Sequence, residues 1–169
     1  MHTDDGAIDA SRLAAALDRQ EVRDLHARYG DVVTRRAWDE LAELFVPDMP
    51  LELDLVDSEP RHMAGPDQIG EFLATAVSRF DFFEFTPLNA VTELYPRGNP
   101  DEATARLWIR EDRHGAAGSG EPSEWTSAFG LYRDTYRRIQ GRWWFATRHY
   151  RSLARTGPVS AVLPFPDLD

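Results

Sequence analysis

The chain is 169 residues long and 42% hydrophobic, with 19 basic side chains against 29 acidic ones and no cysteine; every basic residue is arginine. That length fits one domain of ~100–200 residues, and the missing cysteine and lysine exclude disulfides, thiolate nucleophiles, Cys-ligated metals, Schiff bases and a P-loop lysine. The net charge of −10 argues against a phosphate backbone as partner, and no apolar run reaches the ~18 residues of a membrane span, so neither nucleic acid nor membrane is expected.

In chain order, Leu13, Ala16 and Leu17 form a short apolar stripe. Asp18-Arg19-Gln20-Glu21 then reads as a capping-box-like start to a second helical stretch. Val22, Leu25, Tyr29, Val32 and Val33 recur at helical spacing, and Trp38, Leu41, Leu44 and Phe45 repeat the pattern in a shorter helix closed by Pro47. Leu51, Leu53 and Leu55 alternate with acids, as in a half-buried strand. Gly65-Pro66-Asp67 opens another helix with Ile69, Phe72, Leu73 and Val77 on one face. Residues 86–95, 103–113, 124–138 and 142–151 read as strands, the last two joined by a hairpin at Ile139-Gln140-Gly141-Arg142. Within the third, Arg133 and Arg137 share one face and Arg138 points the other way, which suits a solvated sheet better than a nucleic-acid groove. Helices first, then strands in series, predict an α+β fold: a curved, mostly antiparallel sheet with helices on one face, enclosing a small-molecule pocket. Residues 1–155 read as one domain and 156–169 as a C-terminal arm, extended or partly disordered, whose Phe165 either plugs the cavity or docks on a partner subunit.

Several short motifs carry a resemblance: Asp18-Arg19-Gln20-Glu21-Val22, Ala27-Arg28-Tyr29, Trp38-Asp39-Glu40-Leu41 with Leu44-Phe45, Gly65 with Ile69 and Phe72, Ala103-Thr104-Ala105-Arg106, Gly130-Leu131-Tyr132-Arg133-Asp134, and Gly141-Arg142-Trp143 with Arg148. Their order over residues 12–152 resembles the SnoaL-like branch of the nuclear transport factor 2-like superfamily. The resemblance implies a cone-shaped α+β barrel, often a homodimer, with a pocket between the helices and the concave sheet. Such families include dehydratases, isomerases, polyketide cyclases and epoxide hydrolases, and also non-catalytic dioxygenase subunits, so the fold does not fix the activity.

Dehydratase-like members of the family use a Tyr, an Asp and a His. Such a reaction needs a base of near-neutral pKa and a donor to the developing oxyanion. By this resemblance Tyr29 takes the tyrosine position, either as a donor or as a packed core residue, while the Asp position falls on Thr34 and the His position on Asn89. Neither replacement titrates usefully. Asp31 lies about 200° around the helix from Tyr29, which favours an exposed or Arg-paired acid. Glu93 shares a strand face with Asn89 and Val91; were that face concave, it would become a candidate base, the alternative being Ala90, Thr92 and Leu94 inward. Tyr132 is a candidate substrate contact, Asp134 pairs with Arg148 as one option, and Phe145 alternates onto the core or pocket side. His62 and His149 are candidates for the cavity mouth. The five histidines show no ligand spacing and no Gly-rich phosphate loop is present, so neither metal nor cofactor is expected. Two readings follow: a lyase, isomerase or cyclase acting on a hydrophobic polycyclic or aromatic metabolite, or a non-catalytic ligand-binding or accessory subunit. An acidic first stretch with no basic n-region points to the cytoplasm.

Overall fold

A computed structural model describes residues 10–118 and 123–168 of the chain. The first helix, α1, runs unbroken over Ala10–Arg35. The start expected at Asp18 does not occur, because that carboxylate is buried within the helix and satisfied from the sheet. Arg138 donates to it at 2.9 and 2.8 Å, the Trp143 indole N–H at 3.0 Å, and the Tyr95 hydroxyl also donates. Burial alone would raise the Asp18 pKa, but these donors overcome it and hold the group below the ordinary carboxylate value. The early stripe stays in water instead, with Leu13 and Leu17 exposed.

Trp38–Glu43 forms a 3-10 helix. Strands β1 (Pro50–Asp54) and β2 (Arg61–Ala64) pair antiparallel, and α2 (Gly65–Val77) follows with proline in its first turn. Four long strands complete the sheet: β3 (Phe80–Leu94), β4 (Glu102–Gly115), β5 (Trp125–Ile139) and β6 (Arg142–Arg155). They form an antiparallel meander, β1 adds parallel to β6, and the order is β2-β1-β6-β5-β4-β3. The sheet is curved and unclosed, with β2 and β3 at its edges. At the β5–β6 hairpin, Gln140 and Gly141 both have positive φ, the geometry of a tight primed turn matched to strand twist.

The α1 helix packs on the inner sheet face, where Val22, Leu25, Tyr29, Val32 and Val33 are buried. Four irregularities in the long strands decide which side chains share that face, the first at Asp81, which the pairing of Phe80 with Gly115 and of Phe82 with His114 skips. In β3, Pro87 pairs with Ile109 and Asn89 with Trp108, so Leu88 is an extra residue. In β6 the pairing jumps past Ala146 and again past Leu153. A bulge shifts the inward–outward alternation by one residue, and each of these does so. The C-terminal segment turns back along β6, where Ala161–Val162 form a two-residue strand and Leu163 N–H donates to Leu153 C=O at 2.9 Å. Phe165 then stacks on Trp108, with ring centroids 5.7 Å apart. Trp108 alternates with the buried Leu107 and Ile109, so Phe165 lies on the outer face and does not plug the interior. Among the described residues, no helix is long and apolar enough to cross a membrane.

Candidate functional site

The inner sheet face, α1 and α2 enclose a cavity of about 190 Å³. Its apolar wall includes Val33, Leu53, Phe72, Leu73, Phe83 and Phe85. Into it also project Tyr29 from α1, Tyr132 from β5, Tyr150 and Ser152 from β6, and Glu111 from β4. Glu111 is the one acidic side chain on this wall among the described residues, and it pairs with Arg113 two residues along the same strand. The Glu111 charge acts on all three tyrosines and helps raise their hydroxyl pKa values, although burial is the larger cause in each. All three are therefore neutral donors at physiological pH. Gly130 gives Tyr150 its place: a Cβ at position 130 would lie 2.1 Å from a carbon of the Tyr150 ring.

Beneath the floor of the cavity lies a buried polar chain. The Arg148 guanidinium stands 4.1 Å from the centre of the Tyr29 ring, 4.0 Å from Tyr132 and 4.4 Å from Phe145. It donates to Asp134 from Nε at 3.0 Å and from Nη2 at 3.1 Å, while Nη1 is buried without a hydrogen-bond acceptor. Burial raises the Asp134 pKa, and Arg148 opposes the rise. Tyr136 donates to Asp134 at 3.1 Å, and its hydroxyl is 2.5 Å from Nε2 of His26. With the Tyr136 proton committed to Asp134, His26 donates from Nε2–H as a neutral imidazole. Burial, helped by the charges of Arg148 and Arg23, pushes its pKa down to about 3.

The candidates read from the sequence divide among three places. Tyr29 and Tyr132 face the cavity together. Phe145 lies beneath them, fully buried against Tyr29, Phe45 and Tyr136. Thr34 and Asn89 line a separate open groove between α1 and β3, with His26 and Asp31. The Thr34 hydroxyl accepts the backbone N–H of Phe85 at 3.0 Å, tying the helix to the strand. Thus the inward side chain beside Thr34 is Phe85, not Asn89, and that position carries no titratable group. Glu93 is exposed, because the bulge at Leu88 brings Ala90, Thr92 and Leu94 toward the interior instead. His62 and His149 are exposed on the outer face, each with Nδ1 3.8 Å from Glu52, so neither reaches the cavity mouth. Asp31 pairs with Arg35 at the surface.

Glu111, Arg113, Tyr150 and Ser152 were not singled out by the sequence reading. For the first two a signal was present. Ala103, Ala105, Leu107 and Ile109 alternate inward, and the same period carries 111 and 113 onto that face. Tyr150 and Ser152 lie beyond the β6 bulge at Ala146, where extrapolation from Trp143 and Phe145 points to the wrong face. Among the described residues no three His, Asp or Glu side chains converge as metal ligands.

No curated protein matches the chain in sequence. Its fold is that of several solved structures. A candidate scytalone dehydratase from Novosphingobium aromaticivorans DSM 12444 is 18% identical, with a TM-score of 0.73 over 92% of this chain and 98% of that one. An NTF2-like protein with a cystatin-like fold from N. aromaticivorans is 25% identical, with a TM-score of 0.69 over 90% and 92%. A hexachlorocyclohexane dehydrochlorinase, LinA-type3 from Novosphingobium barchaimii LL02, is 17% identical, with a TM-score of 0.73 over 92% and 99%. The family model of the SnoaL-like domain matches residues 14–149, and with that match over most of its length the chain belongs to the SnoaL-like family.

Proposed function

We propose that this protein is an elimination or isomerisation enzyme for a small hydrophobic ring compound, working by proton transfer inside the cavity without a metal. One observation carries the reading: Glu111, the single wall carboxylate among the described residues, shares a mostly apolar cavity with the hydroxyls of Tyr29, Tyr132 and Tyr150. Glu111 takes a proton from the carbon next to a substrate carbonyl. The electron pair moves onto the carbonyl oxygen, which the tyrosine hydroxyls stabilise by hydrogen bonds. Collapse of that enolate re-forms the carbonyl. It either expels a hydroxyl from the next carbon, which leaves as water with the proton held by Glu111, or takes that proton back from Glu111 at a conjugated position; each branch returns Glu111 to its carboxylate form. Arg113 holds the Glu111 carboxylate in place, and Arg148 with Asp134 holds the two floor tyrosines. The volume favours one or two rings over a larger polycycle, since a cavity of ~150 Å³ already holds benzene. The dehydratase and dehydrochlorinase names among the similar structures fit elimination chemistry. The homodimer and the cytoplasmic location implied by the sequence reading remain part of the proposal, the first testable by light scattering on the purified protein.

A second reading, a non-catalytic binding protein, is favoured by a specific feature: the Thr34–Phe85 position holds no acid–base pair, and no histidine lines the cavity among the described residues. One experiment separates the two. Small cyclic β-hydroxy and β,γ-unsaturated ketones are screened for turnover with the native chain and with Glu111→Gln. Turnover that falls ~10²-fold or more in the variant, the size expected of a general base, supports the enzyme. Tight binding of the same compounds with no turnover in either protein assigns the binding role.

A further inference from the structure

On the sheet side the cavity lies over small inward side chains. Ala128 of β5 and Ser152 of β6 line it, and Gly130 pairs with Ser152 across the two strands. Gly130 itself is covered by the Tyr150 ring. A Cβ there would meet two ring carbons at 2.1 and 2.5 Å and the hydroxyl oxygen at 2.5 Å. The backbone at Gly130 is not at positive φ, so only the ring above it requires a glycine. Tyr150 pairs with Tyr132 on β5 and with Leu53 on β1, and its ring leans diagonally onto Gly130, two residues from its β5 partner. The Tyr132 ring closes a further side, with centroids 5.0 Å apart. Packed from beneath and beside, the buried Tyr150 ring stands in the cavity wall as a fixed stop.

Resting on the reading of this cavity as the ligand site, we infer that Tyr150, seated on Gly130, limits the ligand to a single six-membered ring. Volume sets the scale. A cavity of ~150 Å³ holds benzene with its six carbons, so two fused rings with ten carbons need about 250 Å³ by proportion. The cavity of about 190 Å³ takes a monocyclic ketone and falls short of a bicyclic one. Close-packed interiors yield little to an oversized group, so the shortfall weakens binding. The missing space is where Tyr150 stands. A second fused ring brings four further carbons, and the Tyr150 ring fills the hollow above Gly130 with six. Two kinds of selection thus fall to different groups: Glu111 and the tyrosine hydroxyls recognise the carbonyl, and the Tyr150 ring sets the size of what carries it.

The test is NMR titration of the full chain with cyclohexanone and with 2-tetralone, which carries the same cyclic ketone fused to a second ring. The native chain is expected to bind 2-tetralone about tenfold more weakly than cyclohexanone, although its larger apolar area favours it wherever space allows. Tyr150→Val opens the hollow and is expected to reverse the order, with 2-tetralone the tighter ligand by about tenfold. Tyr150→Phe keeps the ring without the hydroxyl and is expected to keep the native order, which separates size from hydrogen bonding. Gly130→Ala works in the opposite direction: it pushes the ring off the strand into the cavity and weakens cyclohexanone about tenfold. That variant carries the test should Tyr150→Val fail to fold. If 2-tetralone binds the native chain as tightly as cyclohexanone, or Tyr150→Val excludes it as the native chain does, the size limit is overturned and the ligand cavity stands. Unchanged cyclohexanone binding in Gly130→Ala has the same meaning. Failure of both ketones to bind the native chain and Tyr150→Val overturns the ligand cavity itself, and the size limit with it.

Discussion

Arg148 and Asp134 are joined by two hydrogen bonds, at 3.0 and 3.1 Å, in a pair almost wholly closed to solvent beneath Tyr29 and Tyr132. The pair orients the cavity floor from behind. Two charges in an apolar interior are tolerated because each satisfies the other, and losing one leaves its partner buried and uncompensated. Arg148→Met or Asp134→Asn is therefore expected to lower stability by ~3–5 kcal/mol, and replacing both by apolar residues by clearly less. Urea denaturation of the three variants checks this. Single variants as stable as the native chain would remove the pair from the account.

His26 gives the protein a pH signature. Its pKa is about 3 in the folded state, against ~6.5 in an unfolded chain. Above the unfolded value the imidazole is neutral in both states and its contribution is complete. As pH falls below it, the unfolded chain takes up a proton that the folded chain refuses, so stability declines until the folded pKa is passed. Between pH 6 and 4.5 the loss approaches ~1.4 kcal/mol per pH unit. The Asp18 carboxyl, held below its usual value, adds a loss of the same sign only in more acidic solution. Denaturation midpoints measured across this interval should fall with pH in the native chain and fall much less in His26→Gln. Equal slopes in the two proteins would mean that His26 titrates normally.

Gly130 is required by space. A methyl group there would meet the Tyr150 ring at 2.1–2.5 Å, so Gly130→Ala must swing that ring from its place on the cavity wall. Overpacking of this kind costs ~1–3 kcal/mol. Adding Tyr150→Val to the same chain should return most of that loss, a non-additivity that a double-mutant cycle reads directly. Additive losses would place the strain elsewhere.

Much of this architecture is legible in the sequence. The 3.6-residue period of Val22, Leu25, Tyr29 and Val33 identifies the buried face of α1, and the strand alternations place β4, β5 and β6 within four residues of where they stand. By contrast, β3 begins at Phe80, six residues before the expected 86, and α1 at Ala10 instead of Asp18. What the sequence conceals is parity. Glu93 shares a face with Asn89 in an ideal strand, but one extra residue at Leu88 makes Ala90, Thr92 and Leu94 the inward set. Glu111, in a strand with no such interruption, follows the alternation of Ala105, Leu107 and Ile109 without a break, a signal that was present in the sequence although it was not used. His62 and His149 lie 87 residues apart in the chain, and only the β2-β1-β6 order sets both beside Glu52 on the outer face. Asp18 shows the same limit at helix ends, since its capping chemistry is used by Arg138 and Trp143 from distant strands and by Tyr95 just beyond the end of β3.

The central claim is that chemistry occurs in the cone interior at Glu111, and not in the groove that holds Thr34 and Asn89. Turnover of the best substrate from the cyclic ketone screen, compared between Glu111→Gln and Asn89→Ala, tests it most directly. The account expects Glu111→Gln to lose ~10²-fold or more in kcat, as for a general base, with Asn89→Ala within about twofold of the native chain, as at an exposed site outside the reaction. Full activity in Glu111→Gln together with a large loss in Asn89→Ala would contradict the account and move the active site to the groove between α1 and β3.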